Sequence, residues 1–475
     1  MNFLLYLIPV LLPVTAGALI LLLKPERAAK ASSAAAVLAG VSAAAVFRHA
    51  SPAEYRFADN AVMLLSSDRM SVFFIVIIAA GFAAALLFAD EYMAEDRGSW
   101  RFFGFSLLTL GAMMGLSEAG NILTFYMFYE MMSLLSFPLV AYDGTEKARR
   151  AAMVYLGFSV FGACLALTGI ILGGSLTLRP FSELPGSIGL SGRQTAAFLL
   201  MALGFSCKAG MMPLANWLPV AHPAAPAPAS ALLSGVITKA GILGMIRSEF
   251  YIFGAENLAG SYPQTVLLIL SILTIFTGSM LACKEKLLKK RLAYSSVSQL
   301  SYVIFALALM TEDGLCAALL QVLFHACAKV GLFLCAGGFI CRCGTHYVDE
   351  LRGMGRRMPG VTAAFTCLSL SLIGIPPFGG FISKWQIAAA ALSQGSPAAG
   401  IGLVILMLSA FLTAAYLLPI VSRAYFPGKD FACSRTDGGA AMLAPLLVLS
   451  AATAVLGLFP GGICRFFAAA AAGLF

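Results

Sequence analysis

Charge is what this sequence has least of. Asp, Glu, Lys and Arg make up 11% of its 475 residues, where a soluble domain carries roughly 25%, and 60% are hydrophobic. That balance excludes an ordinary soluble fold and points to the membrane class. No Lys or Arg precedes Lys24. A secretory leader needs a basic start and a small-residue cleavage site, so the first apolar stretch reads as a retained helix. The eleven cysteines contain no C-x-x-C and only one close pair, Cys341 and Cys343; most lie inside apolar runs, as small buried residues do. Gly353 and Gly355 are the nearest thing to a nucleotide-binding glycine turn, but they follow no strand and lack a third glycine. The expectation is therefore no cofactor, no metal and no redox chemistry on this chain, with any redox centre on a partner.

What the sequence does have is a series of long apolar runs. They predict an all-α polytopic protein of about fourteen transmembrane helices, at about 3–23, 31–47, 70–89, 102–117, 121–142, 151–172, 196–220, 230–246, 266–283, 292–310, 314–341, 361–392, 400–421 and 440–458. These form a single membrane domain: three N-terminal helices (1–90), a first five-helix unit (102–246), a second (266–426), and a last helix with a short tail (440–475). Lys and Arg give an independent check, because basic loops stay cytoplasmic. The odd-numbered loops hold 20 basic residues, the even-numbered loops and the tail 7. The asymmetry predicts both termini outside a bacterial-type inner membrane. It also accounts for the net charge of +9 without nucleic acid, since the excess faces the anionic inner leaflet, notably at Lys284–Arg291.

Four lysines fall inside predicted helices, Lys208, Lys239, Lys329 and Lys384, together with one acid placed deep in a span, Glu130. Glu130 and Lys239 lie about 13–15 Å from a helix end at 1.5 Å per residue, too far to snorkel easily. Each charge at mid-bilayer costs roughly 2.5–3.5 kcal/mol, so these groups must face one another or water. A single Lys–Glu pair can serve as packing glue; four lysines against one carboxylate cannot all be neutralised that way. Unpaired buried lysines change protonation state readily, which is what a proton relay needs. Helix breaks surround them. Gly210, Pro213 and Pro219 follow Lys208, and Gly374, Pro376, Pro377, Gly379 and Gly380 precede Lys384. Broken spans survive in a bilayer where they line a polar cavity, and one in each half of the chain suggests an inverted repeat. His325 and Lys329 stand at i and i+4 on one face, and Ser295, Ser298, Gln299 and Tyr302 form a polar stripe on the preceding helix. A lone histidine is more often a core residue; one turn from a membrane lysine, a relay role is favoured.

The residues carrying these charges also carry a family resemblance. KAGMMPLANWLPVAHPAAPAPASALLSGVITKAGILGMIR (Lys208–Arg247), FYMFYEMMSLLSFPL around Glu130, AYSSVSQLSYV from Ala293, FHACAKVGLFL around Lys329, and GMGRRMP running on to GIPPFGGFISKW around Lys384 together resemble the antiporter-like membrane subunits of respiratory complex I (NADH:quinone oxidoreductase), Mrp cation/proton antiporters and membrane-bound hydrogenases, over roughly 100–430. The resemblance implies fourteen helices with inverted five-helix repeats. It implies a Glu130–Lys208 pair whose separation modulates the lysine, Lys239 as connecting site, Lys329 with His325 as second-half relay, and Lys384 as exit. The expected partners are other membrane subunits, the lipid bilayer, and protons or Na+ as cargo. The chain ends about 15 residues after its last predicted span, so it resembles the shorter family members. The function expected is proton translocation within a redox complex. An Mrp-type sodium/proton antiporter subunit is the alternative, towards which, with the hydrogenase branch, HPAAPAPASALLSG leans. A stand-alone solute transporter is disfavoured because no substrate-sized polar cluster stands apart from the lysines.

Overall fold

The computed structural model describes residues 2–475 except 26–27, 50, 59–60, 178, 184–185, 187–188 and 427–433. Helices α1 (Asn2–Leu23) and α2 (Ala29–His49) lead into a hairpin of β1 (Ala53–Ala58) and β2 (Ala61–Leu65), followed by α3 (Arg69–Tyr92), α4 (Trp100–Ser117), α5 (Ile122–Val140), α6 (Glu146–Gly173) and α7 (Gly192–Ala209). Next come α8 (Leu218–Ala224), α9 (Ala227–Leu232), α10 (Thr238–Ile246), α11 (Ala255–Leu258), α12 (Tyr262–Lys284), α13 (Leu288–Ala308) and α14 (Glu312–Cys343). The chain closes with α15 (Met354–Arg357), α16 (Pro359–Ile373), α17 (Gly379–Gln394), α18 (Pro397–Tyr425), α19 (Ala440–Leu458) and α20 (Gly461–Ala471). Nine helices among the described residues are long and apolar enough to cross a membrane by length and composition; the chain is a multi-pass membrane protein.

Backbone groups at a helix start have no intrahelical partner, and in a membrane such groups are expensive. Here polar caps take them up. Asp68 Oδ1 accepts from Ser71 N at 2.7 Å before α3, Asn121 Oδ1 from Thr124 N at 2.8 Å before α5, and Thr311 Oγ1 from Gly314 N at 3.1 Å before α14. Ser191 and Gln194 form a capping box before α7. The ends of the helices define two faces. On one, the hairpin sits over the α4–α5 turn, with Gly120 N donating to Leu64 O at 2.8 Å and Asn121 Nδ2 to Val62 O at 2.9 Å. This hairpin face also holds α20, whose Ala469 O accepts from Arg69. On the other, the loop face, Arg342 pairs with Glu91, and Arg423 with Asp349 at 2.7 Å.

Some expectations need correcting. The fold is not purely α, since β1 and β2 pair antiparallel from Ala53↔Leu65 to Ala58↔Ala61. The runs at 361–392 and 196–220 are interrupted at the glycines and prolines named above: the first is α16 and α17, and the second stops at Ala209 and resumes at Leu218. At both breaks the first helix ends on a left-handed glycine, Gly210 (φ 84°) and Gly374 (φ 92°), a conformation only glycine adopts freely. The span placed at 230–246 starts at Ala227 and continues to Phe253 through two π turns, Leu233–Ile237 and Arg247–Phe253; Arg247, counted above as a loop residue, is inside it. The tail after 458 holds a further helix, α20. Finally, Glu130 is not the one buried acid: Glu118 and Glu249 are completely buried, while Glu130 is half-buried.

Candidate functional site

Lys208, two residues before the α7 break, has its ammonium on neutral hydroxyls. Nζ donates to Ser159 Oγ at 2.8 Å and to Tyr155 OH at 3.0 Å, both on α6, and lies 5.9 Å from the Tyr129 ring. Tyr155 OH shares a 2.6 Å hydrogen bond with Ser136 on α5, the helix that carries Glu130. No ion pair joins Glu130 to Lys208 among the described residues, and Glu130 Oε1 is buried without a hydrogen-bond partner. The expected pair is thus present but apart. Pro213 lies in the α7–α8 break, where Met212–Pro213 is cis, and the Cys207 carbonyl accepts from the Trp217 indole at 3.0 Å as well as from the Gly210 amide at 3.2 Å.

Lys239 connects the halves. Its Nζ donates to Ser234 O, in the first π turn, at 2.6 Å, and contacts His325 Nδ1 of α14 at 2.8 Å. π turns recur at functional sites because they widen the helix locally and free carbonyls. Lys329, one turn on from His325, donates to Leu292 O at 2.9 Å and to Ser295 Oγ. Both lysines are fully buried.

Lys384 uses the second break directly. The last carbonyls of α16 have no helical donors beyond Gly374, and Lys384 Nζ donates to two of them, Leu372 O at 2.8 Å and Ile373 O at 2.7 Å. A cation at a helix C-terminus also meets the negative end of the helix dipole. The close approach depends on Gly380: a Cβ there would fall 1.8 Å from Ser371 O. Pro376–Pro377, cis, makes the turn. Tyr302 lies with its ring 5.3 Å from Lys384 Nζ and its hydroxyl on Ser409 Oγ at 2.7 Å.

Between His325 and Lys384 lies a cavity of about 10 Å3 for water centres, bordered by Gln299, Gln321, Ser371 and Gly380, room for about one water. His325 Nε2, Gln299 Nε2 and Ser371 Oγ, all from its wall, have no hydrogen-bond partner among the described residues, and three is the number of polar groups a buried water binds. Gln321 donates to Gln299 Oε1 at 2.9 Å and accepts from Ser383 Oγ at 2.6 Å, tying α13, α14 and α17 together. Ser298 faces elsewhere, joined to Ser279 at 2.8 Å and Ser409 at 3.1 Å. No hydrogen bond links Lys208 directly to Lys239 among the described residues, although their helices touch: a Cβ on Gly241 would lie 3.1 Å from Lys208 Cβ.

Sequence reasoning missed several groups. Gln321 stands one turn before His325 on the same face, a signal that was available. His222, in α8, is fully buried with both ring nitrogens unpartnered and stacks on Phe333 at 4.6 Å. Lys289 is buried as well and donates to Ala225 O, beside the α8–α9 junction. Arg247, 2% exposed, pairs with Asp68 at 2.6 and 3.1 Å. Burial pushes the Asp68 carboxyl up. The Arg247 guanidinium beside it, with hydrogen bonds from Arg247, Tyr251 and the Ser71 amide, outweighs burial and holds it well below the usual carboxylate range. No group of three or more His, Cys, Asp or Glu side chains that would hold a metal ion occurs among the described residues.

A buried lysine series threaded through two broken helices defines an antiporter-like membrane subunit. Residues 119–413 match the family described as NADH:quinone oxidoreductase/Mrp antiporter, TM, and the chain belongs to that family, which is shared by complex I subunits, Mrp antiporters and hydrogenase-4 membrane subunits. It is 32% identical over 408 residues to NADH-quinone oxidoreductase subunit N of Desulforudis audaxviator, covering 81% of this chain and 80% of that protein. To hydrogenase-4 component B of Escherichia coli it is 34% identical over 357 residues, 72% of this chain and 52% of that longer protein. To a Na(+)/H(+) antiporter protein of Alkalihalophilus pseudofirmus it is 27% identical over 354 residues, 74% and 71% of the two chains. The fold matches a chain of the Mrp complex from Dietzia with a TM-score of 0.86 at 23% identity, over 99% of this chain and 97% of that one. A chain of respiratory complex I from Thermus thermophilus matches with a TM-score of 0.85 at 25% identity, over 99% and 98%.

Proposed function

We propose that this protein is a proton-translocating subunit of a redox-driven, complex I-like membrane complex, moving protons along Glu130, Lys208, Lys239, His325, Lys329 and Lys384. The observation carrying the proposal is the 2.8 Å contact of Lys239 with His325: two groups able to exchange a proton meet where the two halves of the chain join, inside a span. The chain carries no redox centre in this reading and draws its energy from electron transfer in partner subunits. It spans the bilayer fourteen times as inverted five-helix repeats, 102–246 and 266–426, with its broken helices in corresponding places, α7–α8 and α16–α17. The hairpin face lies outside and the loop face in the cytoplasm. Lys208 exchanges its Tyr155 and Ser159 hydroxyls for the Glu130 carboxylate as the pair closes, and returns to them as it opens.

The same relay serves an Mrp-type antiporter, and the likeness to the A. pseudofirmus antiporter protein over 74% of this chain favours that as the second reading. The test is transport by inverted vesicles holding the native complex, driven first by a reduced electron donor and then by an imposed Na+ gradient. Donor-driven acidification that is abolished by Lys239→Ala supports the proposal. Exchange driven by Na+ alone, with no response to any donor, replaces it by the second reading.

A further inference from the structure

Two carboxyl groups lie outside this relay and are nonetheless fully buried, Glu118 at the end of α4 and Glu249 in the second π turn; among the described residues neither has a hydrogen-bond partner for either oxygen. Glu249 is the more telling because it shares a continuous helix with Lys239. Its nearest charge in sequence, Arg247, is committed elsewhere, to Asp68 and Ser71 and to the rings of Tyr251 (4.3 Å) and Phe181 (4.8 Å). The segment is well packed, with Phe253 on Phe198 of α7 at 5.3 Å. A carboxyl that binds nothing adds nothing to that packing, and burying one as an unpaired ion costs several kcal/mol. An ionisable group kept inside a span at such cost is a functional site by default. The helix has two π turns: the first receives the Lys239 ammonium on Ser234 O, the second holds Glu249. They place the two groups about 15 Å apart at 1.5 Å per residue, Glu249 nearer the hairpin face.

We propose that Glu249 is the outer proton station of the Lys239 helix, receiving the proton that Lys239 gives up and passing it to the hairpin face. The inference rests on the relay proposed above. In the step, an N–H bond of the Lys239 ammonium breaks and leaves the amine, water carries the proton, and an O–H bond forms on the Glu249 carboxylate to give the acid. That O–H bond then breaks to water at the hairpin face and restores the carboxylate. Nothing is oxidised or reduced.

The experiment uses the native complex in inverted vesicles, with transport normalised to assembled complex. Glu249→Gln, which keeps the shape and cannot exchange a proton, is expected to lower transport about tenfold or more, and Glu249→Asp to keep most of it. Dicyclohexylcarbodiimide, which attacks protonated carboxyls in apolar surroundings, is expected to leave an adduct on Glu249 that peptide mass spectrometry finds. Wild-type transport by Glu249→Gln, or no adduct on Glu249 in the active complex, overturns the inference; if Glu249→Gln fails to assemble, the adduct and Glu249→Asp decide it. Lys239→Ala separates the two ideas. If it abolishes transport while Glu249→Gln does not, the relay stands and Glu249 falls; if it transports normally, the relay itself falls.

Discussion

Lys239 Nζ and His325 Nδ1 lie 2.8 Å apart, on helices from the two halves of the chain, in a fully buried setting. One proton lies between them. With it on the lysine, Nδ1 accepts, so His325 carries its own proton on Nε2, the nitrogen at the wall of the small cavity leading to Lys384. With it on the histidine, the ring is an imidazolium: Nδ1 donates to the amine and Nε2 can release its proton towards the cavity. The contact can therefore pass charge from the first half to the second without either side chain moving far.

That geometry makes His325→Leu and Lys239→Leu act on one exchange, since each removes one side of it. Lys239→Leu is expected to lower proton transport on the order of 100-fold in assembled complex, His325→Leu to leave only what exits through Glu249, and the double variant to fall no further than Lys239→Leu. Additive losses, measured by dye quenching in inverted vesicles, would mean that the two residues lie on separate paths. Lys239→Arg keeps the charge but holds its proton permanently, so it should assemble and fail to pump.

The Asp68–Arg247 pair is a structural clamp between the start of α3 and the second π turn. Arg247 is buried, so removing its partner leaves an uncompensated charge, which costs about 3–5 kcal/mol. Asp68→Ala is expected to lower the unfolding temperature of the detergent-purified complex more than Asp68→Ala together with Arg247→Leu. The sign of the pH dependence follows. The folded Asp68 carboxyl is held below its ordinary value, about 3.9 when unfolded, so its contribution is complete above that pH and fades as acid approaches the folded value. Wild-type stability measured from pH 5 down to pH 3 should therefore fall more steeply than that of the double variant.

The parts of this site that the sequence revealed are those that break a rule locally. A lysine inside an apolar run announces itself, and Gly210, Gly374 and the prolines near them announce a break, because a helix cannot continue through them. Groups that obey local rules were invisible. His222 follows a Trp-Leu-Pro turn like any interfacial residue, and only the fold stacks it on Phe333. Glu249 and Arg247 lie past the apolar core of their run, and the apolar pattern ends at Ile246 while the helix, rewound as a π turn, does not. The β1–β2 hairpin is too short to show a clear period-two pattern. Nor can spacing along a chain report that Lys208 rests on Tyr155 and Ser159 rather than on Glu130, since that choice depends on how α5 and α6 stand against α7.

Orientation has its own test. Moving Arg247 from a loop into a buried pair takes one basic residue from the smaller of the two loop sets, so the bias of 20 to 7 that underlies the proposed orientation becomes steeper. Alkaline phosphatase fused after Phe475 should be active and a fluorescent cytoplasmic reporter there dark. The reverse pattern would remove either one span from the count or the assignment of the faces.

The separation of Glu130 from Lys208 predicts how the first half loads its proton. In the open arrangement the ammonium is solvated by Ser159 and Tyr155, and Tyr155 is in turn held by Ser136. In the proposed relay, capture belongs to the closed arrangement and release to the open one. Glu130→Gln removes the closed state's advantage while keeping its shape, and transport should fall on the order of 100-fold. Lys208→Arg should assemble and fail, because its charge cannot be given up. Tyr155→Phe and Ser159→Ala act oppositely on the balance. They strip the open state of the oxygens that accept from the ammonium, push Lys208 towards Glu130, and should slow release without abolishing capture, leaving transport reduced but present. A series in which Glu130→Gln and Lys208→Arg pump at wild-type rates while Tyr155→Phe does not would mean that the hydroxyls, and not the carboxylate, carry the proton past this point.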